Sequence, residues 1–341
     1  MDATIAEYSH GTGRHCGSTS LRNLATHYGW GCDEETCFGL AAGLGFTYFE
    51  LPESPHRGFI GRPPRIEETF FDLLEIGVDR HEGEGWRTVR RRLRDSLAAG
   101  DPVMVFTDIY YLDYFGSDTH FGPHSVLCVG LEDGGDTAVL SDTEFDERQR
   151  VPLERLRQAM NSTHGVPLSN RHLVVTDPEP GRSLEEAAPD AVAEMARTML
   201  DADRATGPDG NFGTQGLAGV RRFADELPSW VEFDDPQWSV RFAYQNVERR
   251  GTGGGAFRQL YADFLESLDG SGPALPADAT ERMNAIAADW TDAGETLKAA
   301  SERPDTERMG PTLTDVAETV HDLADREQRL YEDLLAALES A

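Results

Sequence analysis

Three residues of this chain are suited by type and position to covalent chemistry: Cys16, His124 and Asp142. Cys16 stands in His15-Cys16-Gly17-Ser18-Thr19-Ser20-Leu21, just where an amphipathic helix begins. A thiol there faces unpaired backbone N–H groups and the positive end of the helix dipole, and both favour the nucleophilic thiolate. A free cysteine is more often a small buried hydrophobe, so position alone does not decide its role. His124 opens the apolar run Ser125-Val126-Leu127-Cys128-Val129, and Asp142 closes the next one, Ala138-Val139-Leu140-Ser141. A turn at about Glu132 to Asp136 joins the two runs. In an antiparallel hairpin the start of the first strand lies beside the end of the second, so His124 and Asp142 are expected to be neighbours on one face. Asp142 would then orient the imidazole while His124 takes the thiol proton.

Acyl transfer through such a thiolate also needs donors for an oxyanion. The Cys16 backbone N–H is one. His10, six residues upstream, is expected to return across the glycines of Gly11-Thr12-Gly13 as the second. His15 is expected to point away from the nucleophile.

The order of a cysteine at a helix start, a histidine opening a strand and an aspartate on the next strand resembles that of papain-like cysteine peptidases and their bacteriocin-processing relatives. The local motifs resemble more closely the butirosin biosynthesis protein H N-terminal domain family. They are His15-Cys16-Gly17-Ser18 through Leu24, Phe38-Gly39-Leu40-Ala41-Ala42-Gly43-Leu44-Gly45-Phe46-Thr47-Tyr48, Gly61-Arg62-Pro63-Pro64, Asp108-Ile109-Tyr110-Tyr111-Leu112 and His120-Phe121-Gly122-Pro123-His124. The second half, with Asn246-Val247-Glu248-Arg249-Arg250-Gly251-Thr252-Gly253-Gly254-Gly255-Ala256-Phe257-Arg258, resembles the uncharacterised domain that commonly follows. The resemblance implies an α+β fold, with a papain-like N-domain followed by a mainly α-helical C-terminal domain. It implies a cysteine acyltransferase that moves an acyl or aminoacyl group from a thioester, such as one on an acyl carrier protein, to a small-molecule amine. Its catalytic assignment falls on Cys16, His124 and Asp142. A peptidase or amidase of the same fold, and a non-catalytic binding protein built on it, are the alternative readings.

Further residues are candidates for substrate binding. Arg62, in Gly-Arg-Pro-Pro, is able to clamp a carboxylate or phosphate, or to bond loop carbonyls. Asp108 and Tyr111, with Tyr110 and Tyr114, precede the histidine loop and are candidates for an acceptor pocket or for its rim. Gly253 lies in a glycine run that leads into a helix, where bare N–H groups bind anions, and Arg258 follows. A tight helix–helix corner is the plainer reading of that run. His10, His15, Cys16, His120 and His124 match no zinc spacing, so no metal is expected. No cofactor is expected either. Cys32, Cys37 and Cys128 form no CxxC pair and read as packed thiols.

The elements that must position these residues follow from periodicity. Helices are expected over 15–28, 34–44, 66–74, 86–99 and 153–160, and strands over 45–50, 102–108, 125–131, 137–141 and 172–176. Asp177-Pro178-Glu179-Pro180-Gly181-Arg182 reads as a linker. Beyond it, helices are expected over 184–203, 216–226, 239–250, 256–268, 278–300 and 313–340. The division is therefore a catalytic domain over 1–178 and a helical domain over 183–341.

The 341 residues suffice for two cores. Asp and Glu number 61 against 31 Lys and Arg, a formal charge of −30, and Lys298 is the single lysine. So acidic and lysine-poor a surface suits a salt-filled, halophilic cytoplasm, where self-repulsion is screened. No basic stripe exists to neutralise phosphates, which argues against a nucleic-acid partner. No apolar run is long enough to span a bilayer, and the N-terminal residues lack the basic and apolar regions of a secretory signal. A cytoplasmic location without membrane binding is expected. The acidic helix near the C-terminus is long enough to support a homo-oligomer.

Overall fold

The computed structural model describes residues 2–201, 213–270, 273–303 and 308–340. In chain order the elements begin with β1 (Ala3–Thr4), α1 (Cys16–Tyr28), α2 (Glu34–Leu40), β2 (Thr47–Glu50), β3 (Arg57–Ile60) and α3 (Ile66–Leu73). There follow β4 (Gly77–His81), α4 (Trp86–Ala99), β5 (Val103–Thr107), β6 (His124–Glu132), β7 (Thr137–Ser141), β8 (Gln149–Pro152), α5 (Leu153–Met160) and β9 (His172–Asp177). The chain continues through α6 (Leu184–Leu200), β10 (Thr214–Gln215), α7 (Gly216–Glu226), α8 (Pro236–Glu248), α9 (Arg258–Ser267), α10 (Ala279–Ser301) and α11 (Met309–Ser340). The expected α6 reached residue 203, and its last two residues lie outside the described ones. The fold is α+β, as expected from the sequence.

Two compact units form, but not as contiguous halves. The first comprises Met1–Cys37 and Leu74–Arg182, the second Phe38–Leu73 and Ser183–Ala341. The expected division at 178/183 therefore needs correcting for residues 38–73, which belong with the helical unit. Close packing explains their placement. A Cβ on Gly39 would fall 1.9 Å from the Phe264 ring, and one on Gly61 2.7 Å from the Ala256 carbonyl. Only glycine permits those approaches. The second unit is accordingly not purely helical, because β10-β2-β3 forms a small antiparallel sheet in it. Phe46, Phe59, Phe223, Trp230 and Trp290 form the aromatic part of its core.

In the first unit the strands run β4-β9-β5-β6-β7-β8, all antiparallel, with β1 also pairing β6. β6 is central, and eight of its nine residues are buried, which accounts for its unbroken apolar run. Helix α1 lies against it. The first turns of α1 carry Gly17, Ser18, Thr19 and Ser20, all buried, and these small residues let the helix approach closely. Ser20 Oγ donates to the Ser125 carbonyl of β6 at 3.3 Å. The sheet thus brings the start of α1 to the start of β6. Among the described residues no helix is long and apolar enough to cross a membrane.

Candidate active site

Cys16 is the first residue of α1 and is half-buried. The segment before it is held by one carboxylate. Glu34 accepts the backbone N–H groups of Arg14 and His15 at 3.0 and 2.9 Å and the hydroxyls of Ser18 and Thr19 at 3.0 and 2.8 Å. Gly13 runs so close beneath it that a Cβ would meet Thr19 Oγ1 at 2.1 Å and Glu34 Oε2 at 2.6 Å. Gly13 also donates its N–H to the Thr143 carbonyl at 3.2 Å, which ties the segment before Cys16 to the residue after Asp142. Nothing in the local pattern marked Glu34 as functional; its role depends on the fold bringing α2 to the start of α1.

His124 begins β6, and Asp142 directly follows β7. The hairpin register is offset from perfect symmetry about residue 133, because Leu127 pairs Ser141 and a bulge falls between Cys128 and Gly130. The two side chains meet nonetheless: His124 Nε2 lies 3.0 Å from Asp142 Oδ2, both residues buried. The other ring nitrogen is left for Cys16, and the Cys16 thiolate and the His124 imidazolium favour one another. Asp142 also accepts the Tyr114 hydroxyl at 2.6 Å and the Glu144 N–H at 3.2 Å. Phe115 sets its ring edge-on to His124, with centroids 5.3 Å apart.

The electrostatics follow from this geometry. Burial opposes ionisation of Cys16, but His15 and His124 outweigh it and hold the thiol well below its usual range. Burial also opposes the imidazolium of His124, but Asp142 and then Cys16 raise it to about 10. Burial would raise Asp142, yet His124, Tyr114 and the Glu144 N–H keep its carboxyl below the usual range. A thiolate–imidazolium pair with a carboxylate behind it is the charge state these shifts favour.

The model described as Butirosin biosynthesis protein H, N-terminal, matches residues 15–143, which include Cys16, His124 and Asp142. The model described as Domain of unknown function (DUF4872) matches residues 154–334, more than half of the chain. The chain belongs to the DUF4872 family. Its N-terminal part resembles the butirosin biosynthesis protein H N-terminal family. No curated protein matches the chain. The DUF4872 match starts in α5, within the first unit, so family boundary and structural boundary do not coincide.

In this DUF4872 chain several expected site residues have other duties. His10 is not placed as an oxyanion donor. Its Nδ1 accepts from Ser141 Oγ at 2.7 Å and its Nε2 donates to the Phe145 carbonyl at 2.7 Å, so both ring nitrogens are engaged. It braces the loop after Asp142. His15, expected to point away, instead brings Nε2 within 3.9 Å of Cys16 Sγ. Asp108 is buried and accepts four donors: Ser162 Oγ and His120 Nδ1 at 2.7 Å each, and the N–H groups of Tyr110 and Phe121 at 3.1 Å each. It organises the loop leading to His124 and has no vacant face for a substrate. Tyr111 is half-buried beside Tyr110, His120 and Arg155.

Arg62, Gly253 and Arg258 belong to the second unit. Arg62 Nη1 donates to the Pro63 carbonyl at 3.1 Å, the loop-bracing alternative to a clamp. Gly253 has φ +66 and serves a tight corner. That corner is closed by protein groups: Gly255 N–H donates to Glu248 Oε1 at 3.0 Å and Gly254 N–H to Thr252 Oγ1 at 3.4 Å. A carboxylate of the chain itself stands where an anion was expected. Arg258 is wholly buried and forms two 3.0 Å bonds to Glu327, whose carboxylate also takes the Trp290 and Tyr331 donors. It is a core ion pair, so its expected substrate role is corrected. Among the described residues no group of three or more His, Cys, Asp or Glu side chains is arranged to hold a metal ion.

Proposed function

We propose that the chain is a cysteine-dependent acyltransferase. The observation that carries this reading is the arrangement of half-buried Cys16 with the buried His124–Asp142 pair, lying within the segment that resembles the butirosin biosynthesis protein H N-terminal family. The Cys16 thiolate attacks the carbonyl carbon of an acyl thioester. The tetrahedral intermediate collapses, the donor thiolate leaves, and it takes the proton that His124 holds. An acyl-enzyme remains on Sγ. A small-molecule amine then attacks the same carbon, and His124 removes its proton. Collapse forms the amide and returns Cys16 as the thiolate beside imidazolium. Asp142 keeps the ring oriented and stabilises its charge throughout. Tyr110 and Tyr111 offer an aromatic rim for the acceptor.

The test is product partition. Wild-type protein is incubated with a synthetic acyl thioester and a panel of small amines in high salt, and amide and free acid are separated by mass spectrometry. Amide in excess of acid supports transfer. Acid alone, whatever the amine, would make the protein a hydrolase of the same fold.

A further inference from the structure

His15 has a ring whose proton position the backbone decides. It is the N-cap of α1, in extended conformation (φ −140, ψ 134), and it caps with its imidazole rather than with an oxygen. The Ser18 backbone N–H donates to His15 Nδ1 at 3.2 Å. A backbone N–H can only donate, so Nδ1 is the acceptor and the ring hydrogen of the neutral imidazole sits on Nε2. Nε2 is the atom 3.9 Å from Cys16 Sγ. The ring has little freedom to leave. His15 is 3% exposed, its N–H is bonded to Glu34 at 2.9 Å, and its carbonyl accepts from Thr19 N–H at 2.9 Å.

Two imidazoles therefore face one sulfur with different capabilities. His124 backs onto Asp142 and is able to carry a proton to and from the reacting groups. Behind His15 Nδ1 stand the Ser18 backbone N–H at 3.2 Å and the Ser18 hydroxyl at 3.3 Å, so that nitrogen is engaged in the helix cap. Nε2 is the nitrogen left to offer an N–H to the sulfur. His10, the other histidine near this segment, has both nitrogens engaged elsewhere.

We propose that His15 is a second catalytic imidazole, a fixed N–H donor that solvates the Cys16 thiolate at rest and the oxygen of the tetrahedral intermediate during transfer. This rests on the acyl-transfer reading above and adds the side-chain donor which that chemistry needs. No proton leaves His15 in any step. When the carbonyl carbon bonds to Sγ, its oxygen comes between the sulfur and Nε2, and the N–H turns from one to the other. The Cys16 N–H, at the helix start, is the second donor. Against burial, a hydrogen bond from His15 is among the causes that hold the Cys16 thiol below its usual range. The other titratable groups facing the sulfur are His124, Asp142 behind it, and Glu144 at the rim.

Capping and donation are separable by substitution. Ser and Thr are favoured N-caps, so His15→Ser and His15→Thr keep an acceptor for the Ser18 N–H but carry no side-chain N–H to offer the sulfur. The experiment follows the rate of Cys16 alkylation by iodoacetamide against pH, and acyl-enzyme formation from an acyl thioester, in both variants and wild type. Thermal melting checks that each is folded. The expected result is that both variants melt near wild type, that their alkylation midpoint moves up by about one unit or more, and that acylation slows by about 10²-fold, the cost of removing one oxyanion donor. Variants that match wild type in midpoint and acylation rate would overturn the proposal and leave His15 as a cap alone. Wild type that alkylates at low pH but accepts no acyl group would instead overturn acyl transfer, while the midpoint comparison still reads the donor to the thiolate.

Discussion

Tyr114 donates its hydroxyl to Asp142 Oδ2 at 2.6 Å, the same oxygen that faces His124. The carboxylate is thereby held from two sides. The ring of Tyr114 packs edge-on against Phe145, so Phe fits in its place. Tyr114→Phe is expected to lower stability by about 2 kcal/mol, the usual worth of a hydrogen bond to a charged acceptor, and to slow acylation several-fold. Thermal melting and acylation rate read the two effects. An unchanged acylation rate in a destabilised variant would mean the hydroxyl braces the loop without influencing His124.

The pH behaviour follows from the directions of the shifts. Cys16 is depressed, so thiolate alkylation should persist well below the usual thiol range and fall only as pH drops through that lowered value. His124 is raised to about 10, so acyl transfer, which needs its proton for the leaving group, should decline as pH rises through about 10 while alkylation does not. For stability the signs are opposite for the two partners. Asp142, depressed, contributes above the ordinary carboxylate range and loses that contribution as pH falls through its folded value. His124, raised, contributes fully below its ordinary value of 6.5 and loses it as pH rises through about 10. A pH series of rates and melts checks both; transfer and alkylation falling together at high pH would contradict the assignment.

Much of the site is written locally. A cysteine at a helix start and a histidine and aspartate flanking one hairpin need only periodicity and a turn to be found, and the structure brings all three together. What was not legible depends on partners far along the chain. Arg258 finds Glu327, 69 residues away, and His10 finds Ser141 and Phe145, more than 130 residues away. An arginine or histidine beside glycines looks the same whether its partner is a ligand or a distant residue of its own chain. The strands β3, β4 and β8 escaped for a similar reason. They are short and half-exposed, and they exist because a neighbour pairs with them. The helix start after the glycine run was expected at Ala256. It falls at Arg258, because Ala256 and Phe257 adopt positive φ.

Glu34 is expected to be the most sensitive residue outside the proposed trio of Cys16, His124 and Asp142. Its carboxylate accepts two backbone and two hydroxyl donors next to Cys16. Glu34→Ala would leave several buried donors unpaired, at about 1–3 kcal/mol for each that finds no water. A melting temperature far below wild type, with slowed Cys16 alkylation at the temperatures where the variant is folded, is the expected outcome. Near-normal melting would mean that another group takes over those donors.

Arg258→Ala should separate core from substrate roles. Breaking a wholly buried ion pair by removing one partner costs about 3–5 kcal/mol. The variant is expected to melt lower and yet, where folded, to form acyl-enzyme at the wild-type rate. A selective rise in KM for the thioester without loss of stability would return Arg258 to the binding site.

The net charge of −30 sets the salt response. Self-repulsion is screened over about 10 Å at 0.1 M salt and about 3 Å at 1 M. The melting temperature is expected to climb as potassium chloride is raised over that range. A flat response would show that the acidic surface is not an adaptation to salt.

The most direct test of the central claim is intact-protein mass spectrometry after incubation with acyl thioesters in high salt, on wild type, Cys16→Ala and His124→Ala. The account predicts one acyl mass on wild type, mapped to the peptide containing Cys16 and discharged on adding an amine. It predicts none on Cys16→Ala and a much slower appearance on His124→Ala. Acylation that survives in Cys16→Ala, or a wild-type thiol that alkylates like an ordinary cysteine and takes no acyl group, would contradict it.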